Sequence, residues 1–127
     1  MEQYLIDTNV VSDYLSELFQ EAGMTLIDEA IDATPNLSLI TQIELLSWKT
    51  NNSTEQQIKN FISDSVIWEV TPDVVSECVK IRRSKKIKTP DAIIAATALA
   101  NGFTIITNNE KDFENISGLK IVNPYKL

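Results

Sequence analysis

Short apolar runs alternate along this chain with longer segments whose apolar residues recur at helical spacing. The short runs predict five strands, at residues 4–6, 37–40, 66–70, 103–106 and 119–122. The longer segments predict helices over about 10–18, 24–33, 72–83 and 90–101, and two more that begin near residues 42 and 55. Strands separated by helices form parallel sheets whose two faces are covered. The alternation therefore predicts an α/β fold with a mainly parallel central sheet of four to five strands flanked by helices.

Composition restricts the chemistry that this chain can perform. Its 127 residues are 43% hydrophobic and 23% charged, as expected for one domain of a soluble globular protein. The single cysteine, Cys78, cannot form an internal disulfide, and histidine, the commonest general base and zinc ligand, is absent. Any enzymatic activity must therefore use carboxylates, hydroxyls, lysine, arginine or a metal held by oxygen ligands. With no membrane-length apolar run and no recognisable secretory signal, we expect a cytoplasmic protein without a membrane partner.

Charge is distributed unevenly along the chain. The net charge of −7 argues against a protein that binds nucleic acid over its whole surface. Six of the eleven basic residues nevertheless fall within nine positions: Lys80, Arg82, Arg83, Lys85, Lys86 and Lys88. Such a basic cluster can bind a phosphate backbone locally, or it can be a solvated helix end, since cations are favourable in the last turn of a helix. The sequence leaves both interpretations open.

Polar residues follow three of the predicted strands, at residues 7–9, 41–44 and 107–112. Each group has a structural explanation as a helix cap, and Thr41 with Glu44 has the spacing of a capping box. Parallel α/β sheets, however, bind ligands beyond the carboxyl ends of their strands, so we expect the three groups to meet at one edge. Carboxylates in such proximity repel one another, and a hard divalent cation such as Mg²⁺ or Mn²⁺ removes that repulsion. The pattern therefore predicts a divalent metal site.

The tripeptide Thr-Pro-Asp occurs at residues 71–73 and again at 89–91, and each copy predicts the start of a helix. The second copy is followed by AIIAATALA, whose small and apolar residues predict a helix buried against the sheet. Its first turn can therefore lie near the strand ends, and we predict that Asp91 is a metal ligand. The helix after the first copy carries charged residues and partly faces water, so we predict that Asp73 only caps it.

Together these motifs resemble the PIN-domain family, and within it the VapC-type toxin ribonucleases. The resemblance covers nearly the whole chain in family order, with Asp7-Thr8-Asn9, Glu44 in a T-x-x-E segment, Asp91 in PDAIIAATA, and the run TIITNNEKDF. It implies that residues 1–127 form a single PIN domain with a Rossmann-like α/β fold. It also implies an Mg²⁺- or Mn²⁺-dependent endoribonuclease that forms homodimers and is inhibited by a cognate antitoxin protein. Two apolar residues on the early helices, Leu18 and Phe19, are expected in an interface or in the core.

The resemblance also assigns the site residues. By motif position, Asp7, Glu44 and Asp91 match the three main acidic residues of the family, and the fourth acidic position falls at Asn109. A catalytic role is therefore expected for these four residues. Asp112, one turn later, can supply the charge that Asn109 lacks, so the expected metal ligands are Asp7, Glu44, Asp91 and Asp112.

The expected mechanism is metal-assisted hydrolysis of an RNA phosphodiester. Asp7 and Asp91 hold the metal ion, and Glu44 either binds it or orients the attacking water. Thr8 and Asn9 fix the Asp7 carboxylate by hydrogen bonds. Four residues of the basic cluster are expected to bind the flanking phosphates: Arg82, Arg83, Lys85 and Lys86.

Two other enzyme classes and one binding function are alternatives to this mechanism. Phosphotransferases of the haloacid dehalogenase type need a second aspartate where this chain has Asn9, and a lysine near the later acids. A receiver-like phosphoacceptor domain is disfavoured because Asp7 lacks an adjacent acid. The main alternative is a PIN-fold binding module whose catalysis is weakened, since Asn109 stands where a carboxylate is expected.

Overall fold

The computed structural model describes residues 2–16 and 21–127. Its strands are β1 (Tyr4–Ile6), β2 (Asn36–Ser38), β3 (Val66–Trp68), β4 (Thr104–Ile106) and β5 (Ile121–Val122). Its helices are α1 (Thr8–Leu15), α2 (Glu21–Asp32), α3 (Leu39–Ser47), α4 (Asn52–Ser63), α5 (Pro72–Ser84), α6 (Thr89–Asn101) and α7 (Glu110–Phe113), followed by a 3₁₀ turn at Pro124–Lys126. No helix within these ranges is long and apolar enough to cross a membrane. Leu18 and Phe19 lie outside the described residues.

The strands form one sheet in the order β3-β2-β1-β4-β5, and every neighbouring pair is parallel. β1 occupies the centre, where Leu5 pairs with Asn36 of β2 and with Ile105 of β4. Parallel neighbours need crossover connections, which the intervening helices provide. The predicted α/β fold with a parallel central sheet flanked by helices is therefore confirmed. Because all strands run in one direction, their carboxyl ends lie along one edge of the sheet.

Helices cover both faces of the sheet. Successive strand residues point to opposite faces, so Leu5 packs in one core cluster with Val74 and Ile105, whereas Ile6 packs in the other with Val10. Leu5 and Ile6 are 0% and 1% exposed, respectively. The centre of the sheet is thus buried on both sides, which explains why its strands appear in the sequence as continuous apolar runs.

Helix α6 is buried along most of its length and packs against α5. Its buried residues are Ala92, Ile94, Ala95, Ala96, Thr97 and Ala98. The helix ends at Gly102, whose φ of 72° lies in the left-handed region where glycine has no steric penalty. The burial of α6 and its end at Asn101 therefore agree with the sequence prediction.

The second predicted strand, residues 37–40, extends two residues beyond the end of β2, because Ser38 is the N-cap of the next helix. The hydroxyl of Ser38 accepts the backbone N–H of Thr41 at 3.0 Å, so α3 starts at Leu39. Thr41 and Glu44 therefore do not form the capping box that their spacing allows, since Ser38 is the N-cap and Thr41 is a buried residue of the first turn. β3, β4 and β5 are likewise shorter than the apolar runs that predicted them, since an apolar run does not show where the hydrogen bonds between strands stop.

Candidate active site

Asp7 follows β1 at the centre of the sheet and is the N-cap of α1. Its Oδ1 accepts the backbone N–H of Thr8 at 2.8 Å, and its Oδ2 accepts the hydroxyl of Thr107 at 2.8 Å. The residue is 6% exposed. Burial raises the pKa of Asp7 above its ordinary value, the hydrogen bonds from Thr107 and Thr8 oppose this rise, and the charges of Glu44 and Asp112 add to it. The Asp7 carboxylate is therefore held firmly where its charge is poorly solvated.

Thr107, to which the sequence pattern assigns no role, links Asp7 to the segment before α7. It is fully buried, and its hydroxyl oxygen also accepts the backbone N–H of Asn109 at 3.0 Å. The signal that could have found it is strand register. Because Ile6 pairs with Ile106, the residues that follow these two positions come side by side.

Glu44 lies exposed on α3 and reaches the site through Thr8. The hydroxyl of Thr8 donates to Glu44 Oε1 at 2.7 Å and lies 3.0 Å from Thr41 Oγ1. The hydroxyl of Ser38 lies in turn 3.2 Å from Thr41 Oγ1. This row of hydroxyls places Thr8 so that its backbone contacts Asp7 and its side chain contacts Glu44. Thr8 therefore contacts Asp7, the residue that it was predicted to fix, and it also contacts Glu44, which the sequence did not predict.

Asp91, in the first turn of α6, is half-buried and lies beside the side chain of Asp112 in α7. Burial first, and then the proximity of Asp112, Asp7 and Glu44, raise the pKa of Asp91 to about 6. Asn109 Nδ2 donates to Asp112 Oδ2. Two carboxylates so close together repel each other, so the pair favours a bound cation.

The structure thus brings Glu44 and Asp112 close enough to Asp7 and Asp91 for their charges to raise the pKa of these two aspartates. Within residues 2–16 and 21–127, no salt bridge reaches any of these carboxylates. In the same ranges, no three acidic side chains form a ready-made cage for a metal ion. The donor set still fits a hard divalent cation, because Mg²⁺ commonly takes one or two protein carboxylates and keeps water for its other positions. The Asp91–Asp112 pair meets this requirement.

Asn9 lies on the wall of a cleft beside the carboxylates. The cleft has a volume of about 490 Å³ and is lined by Thr8, Asn9, Ser12, Glu44, Leu45, Ser47 and Trp48. Asn9 is exposed, and its backbone oxygen accepts the hydroxyl of Ser12 at 3.0 Å. Among the contacts of the described residues, the predicted hydrogen bond from Asn9 to Asp7 is not formed. Asn9 therefore faces the cleft, whereas Thr8 is the neighbour that holds Asp7.

The basic residues predicted to bind RNA have different surroundings. Three of them are exposed: Arg82, Arg83 and Lys86. Lys85 is half-buried, and its Nζ donates to the backbone oxygens of Lys111 at 3.0 Å and Glu114 at 2.5 Å. The ammonium group of Lys85 is therefore bonded to backbone oxygens at the protein surface, whereas the three other cations are exposed.

Known proteins are similar to this chain in sequence and in fold. The family model described as PIN domain matches residues 4–119. Plasmid stability protein StbB of Pseudomonas syringae pv. tomato is 30% identical over an alignment of 137 positions, gaps included, which covers 96% of this chain and 98% of StbB. Ribonuclease VapC1 of Methanocaldococcus jannaschii is 30% identical over an alignment of 125 positions, gaps included, which covers 92% of this chain and 85% of VapC1. A chain of a toxin–antitoxin complex from Klebsiella pneumoniae superimposes with a TM-score of 0.75 at 33% identity, over 98% of this chain and 100% of that chain.

Proposed function

The chain belongs to the PIN domain family, and from this premise we propose that it is a metal-dependent endoribonuclease, the toxin of a toxin–antitoxin pair. One observation carries the proposal: four carboxylates, from the β1–α1 junction, α3, α6 and α7, converge at one edge of a parallel sheet. Such a cluster is unfavourable unless a cation neutralises it. The likeness to Ribonuclease VapC1 supports RNA as the substrate, and the likeness to the toxin–antitoxin complex supports the toxin role.

Asp91 and Asp112 are the proposed main ligands of Mg²⁺ or Mn²⁺, and Asp7 completes the site. When bound, the ion supplies polarisation of the scissile phosphate and a lower pKa for a water molecule. Thr8 and Thr107 keep the Asp7 carboxylate in one orientation through their two hydrogen bonds.

Glu44 is the carboxylate with most access to solvent at this edge, and Thr8 holds it at 2.7 Å. It binds the ion or orients the attacking water as a general base. Asn109 orients Asp112 by donating a hydrogen bond from its side-chain amide to the Asp112 carboxylate. Three exposed cations bind the flanking phosphates locally, with an affinity that falls as salt rises: Arg82, Arg83 and Lys86.

Cleavage of total RNA with and without Mn²⁺ tests the proposal, followed by mapping of the fragment ends. We expect internal cuts that need Mn²⁺ and that stop in excess chelator. Asp7→Asn should abolish the cuts, whereas Asp64→Asn, which changes an exposed aspartate at the end of α4, should not. Cleavage at full rate in excess chelator would show that the metal assignment is wrong, and intact RNA in both conditions would refute the endoribonuclease.

A binding module with weakened catalysis is the second candidate, and the neutral Asn109 favours it. Titration with Mn²⁺ separates the two candidates. A module that has no use for a metal site should bind Mn²⁺ no better than its Asp7→Ala variant, whereas the proposed enzyme should bind it at least tenfold more tightly than that variant, roughly the loss expected when the coordination environment is disturbed.

We further propose that residues 1–127 form a single PIN domain and that the protein is cytoplasmic. As a toxin, it is expected to form a homodimer and to bind an antitoxin protein. Exposed apolar side chains on α3 support a protein partner, since Ile43 is 52% exposed and Leu46 is 50% exposed, with Trp48 directly after the helix at 44%. Mass measurement in solution tests the homodimer, and a monomer at micromolar concentration would contradict it. Co-purification with the product of an adjacent small gene tests the antitoxin.

A further inference from the structure

We propose that Lys85 is a positioning residue, which anchors α7 and thereby holds the carboxylate of Asp112 against Asp91. The inference rests on the proposed function in one respect, the assignment of Asp112 and Asp91 as metal ligands. It differs from the sequence prediction, in which Lys85 binds RNA phosphate. Lys85 is the C-cap residue of α5 and opens the short connection to α6.

The anchor consists of two hydrogen bonds to backbone oxygens at the end of α7. Lys85 Nζ donates to Lys111 O at 3.0 Å and to Glu114 O at 2.5 Å, and Glu114 is the C-cap of this helix. The last carbonyl groups of a helix lack partners within the helix, and a cation there is favoured by the helix dipole. A helix of four residues is too short to be stable by itself, so contacts of this kind decide where α7 lies.

The anchored helix carries one member of the carboxyl pair, and the connection that starts at Lys85 leads directly to the other. Asp112 lies in α7, and Asp91 lies in the first turn of α6, which begins at Thr89. The side chain of Lys85 therefore joins the two segments that present the pair. Like charges repel at this range, so an unanchored α7 is expected to move Asp112 away from Asp91.

The geometry favours an anchor over a phosphate contact. Lys85 is half-buried, and two of the three N–H donors of its ammonium group point to protein oxygens. A phosphate would have to compete with both carbonyl groups for the same cation. Arg82, Arg83 and Lys86 carry exposed positive charge next to it and need no such exchange.

Lys85→Met tests the proposal, with Lys59→Met as the matched control. Lys59 is an exposed lysine of α4 that forms a surface ion pair with Glu55, far along the chain from the carboxyl pair. Mn²⁺ binding is measured by calorimetry, and amide hydrogen exchange of α7 is measured in metal-free protein. We expect Lys85→Met to weaken Mn²⁺ binding by about 10-fold or more, as for other residues that orient ligands, and to speed exchange in α7 by a similar factor. The KM for RNA at saturating Mn²⁺ should stay within about twofold of wild type.

Each other outcome has a definite meaning. A raised KM with unchanged Mn²⁺ affinity would assign Lys85 to RNA binding and overturn the proposal. A lower melting temperature with unchanged Mn²⁺ affinity would make it a merely structural residue and also overturn it. If wild-type protein neither binds Mn²⁺ nor cuts RNA, the proposed function fails, and hydrogen exchange of α7 still decides the anchor. If Lys85→Met does not fold, Lys85→Gln, which keeps a donor but shortens its reach, is measured with the same expectations.

Discussion

Helices α5 and α6 begin with the same tripeptide, have 13 residues each and pack against each other, yet they use the tripeptide differently. In α5, Thr71 is the N-cap, and its hydroxyl accepts the backbone N–H of Val74 at 3.3 Å. In α6, the N-cap is Lys88 without a side-chain capping bond, and Thr89 is already the first helical residue. The tripeptide is therefore displaced by one position relative to the start of the helix.

The two aspartates differ because the two helices differ in what covers them. Asp73 is exposed at the start of a helix that buries Val74 and Ile81 and leaves Val75 50% exposed. Asp91 starts a helix that is buried on most sides, so its carboxyl group lies half-buried beside Asp112. The predicted cap at Asp73 is wrong, because Thr71 is the N-cap of α5. Packing, and not the tripeptide, therefore separates an exposed aspartate in a first helical turn from a member of an acidic site.

Replacing each aspartate by asparagine gives the largest expected contrast. Asp91→Asn should lower RNA cleavage by about 100-fold or more, since it removes a proposed metal ligand, whereas Asp73→Asn should stay within about twofold of wild type. Initial rates at saturating Mn²⁺ measure both, and melting curves confirm that each variant is folded. Equal losses of RNA cleavage in the two variants would show that Asp91 and Asp73 do not differ in function.

Enlarging one residue in each helix tests the packing difference. Ala95 of α6 is 0% exposed, so Ala95→Leu should lower the free energy of unfolding by about 1–3 kcal/mol through overpacking. Val75→Leu in α5 is expected to change it by less than about 0.5 kcal/mol, because the side chain reaches solvent. Chemical denaturation measures both values. A negligible effect at Ala95 would mean that α6 is loosely packed.

The pH dependence of stability should report the raised pKa of Asp91. Its ordinary value of 3.8 rises to about 6 in the folded protein. Between these values the folded state retains a proton that the unfolded chain releases, so the free energy of unfolding falls as pH rises from about 4 to about 6 and stays lower above. Asp91→Asn removes this loss and should stabilise metal-free protein at pH 7 by about 1 kcal/mol, after allowance for solvent screening.

Thermal unfolding in chelator between pH 4 and pH 7 provides the measurement, and Asp73→Asn provides the control with an unchanged pH profile. If Asp91→Asn stabilised the protein more at pH 4 than at pH 7, the effect would have the wrong sign, and the raised pKa of Asp91 would be ruled out as its cause.

The threonines of the two tripeptides should show the smallest contrast. Thr71→Ala removes a capping hydrogen bond and should cost about 0.5 kcal/mol, at the lower end of measured caps because the contact is long. Thr89→Ala removes no such bond and should cost less than about 0.3 kcal/mol. Denaturant midpoints of the two variants measure the difference. A larger loss at Thr89 would reverse the assignment of the caps.

The pattern of the chain predicted the parallel sheet, the buried helix α6 and the group of acidic residues at the strand ends. It placed the start of α3 wrongly, since either Ser38 or Thr41 is a good N-cap residue, and the choice depends on where β2 leaves the sheet. It also missed the hydrogen bond from Thr107 to Asp7, whose partners are 100 positions apart, and the contacts of Lys85 with α7.

Hydrophobic periodicity and capping residues are local properties, so the residue pattern located the five strands and helices α1 to α6 and identified α6 as buried, but it did not predict the short helix α7. Which atoms meet at the carboxyl edge of the sheet depends on the fold as a whole. Strand order and register bring Thr107 to Asp7, and the packing of α5, α6 and α7 brings Asp112 to Asp91 and Lys85 to the end of α7. These contacts join distant positions through the arrangement of whole elements, and no short stretch of residues encodes that arrangement.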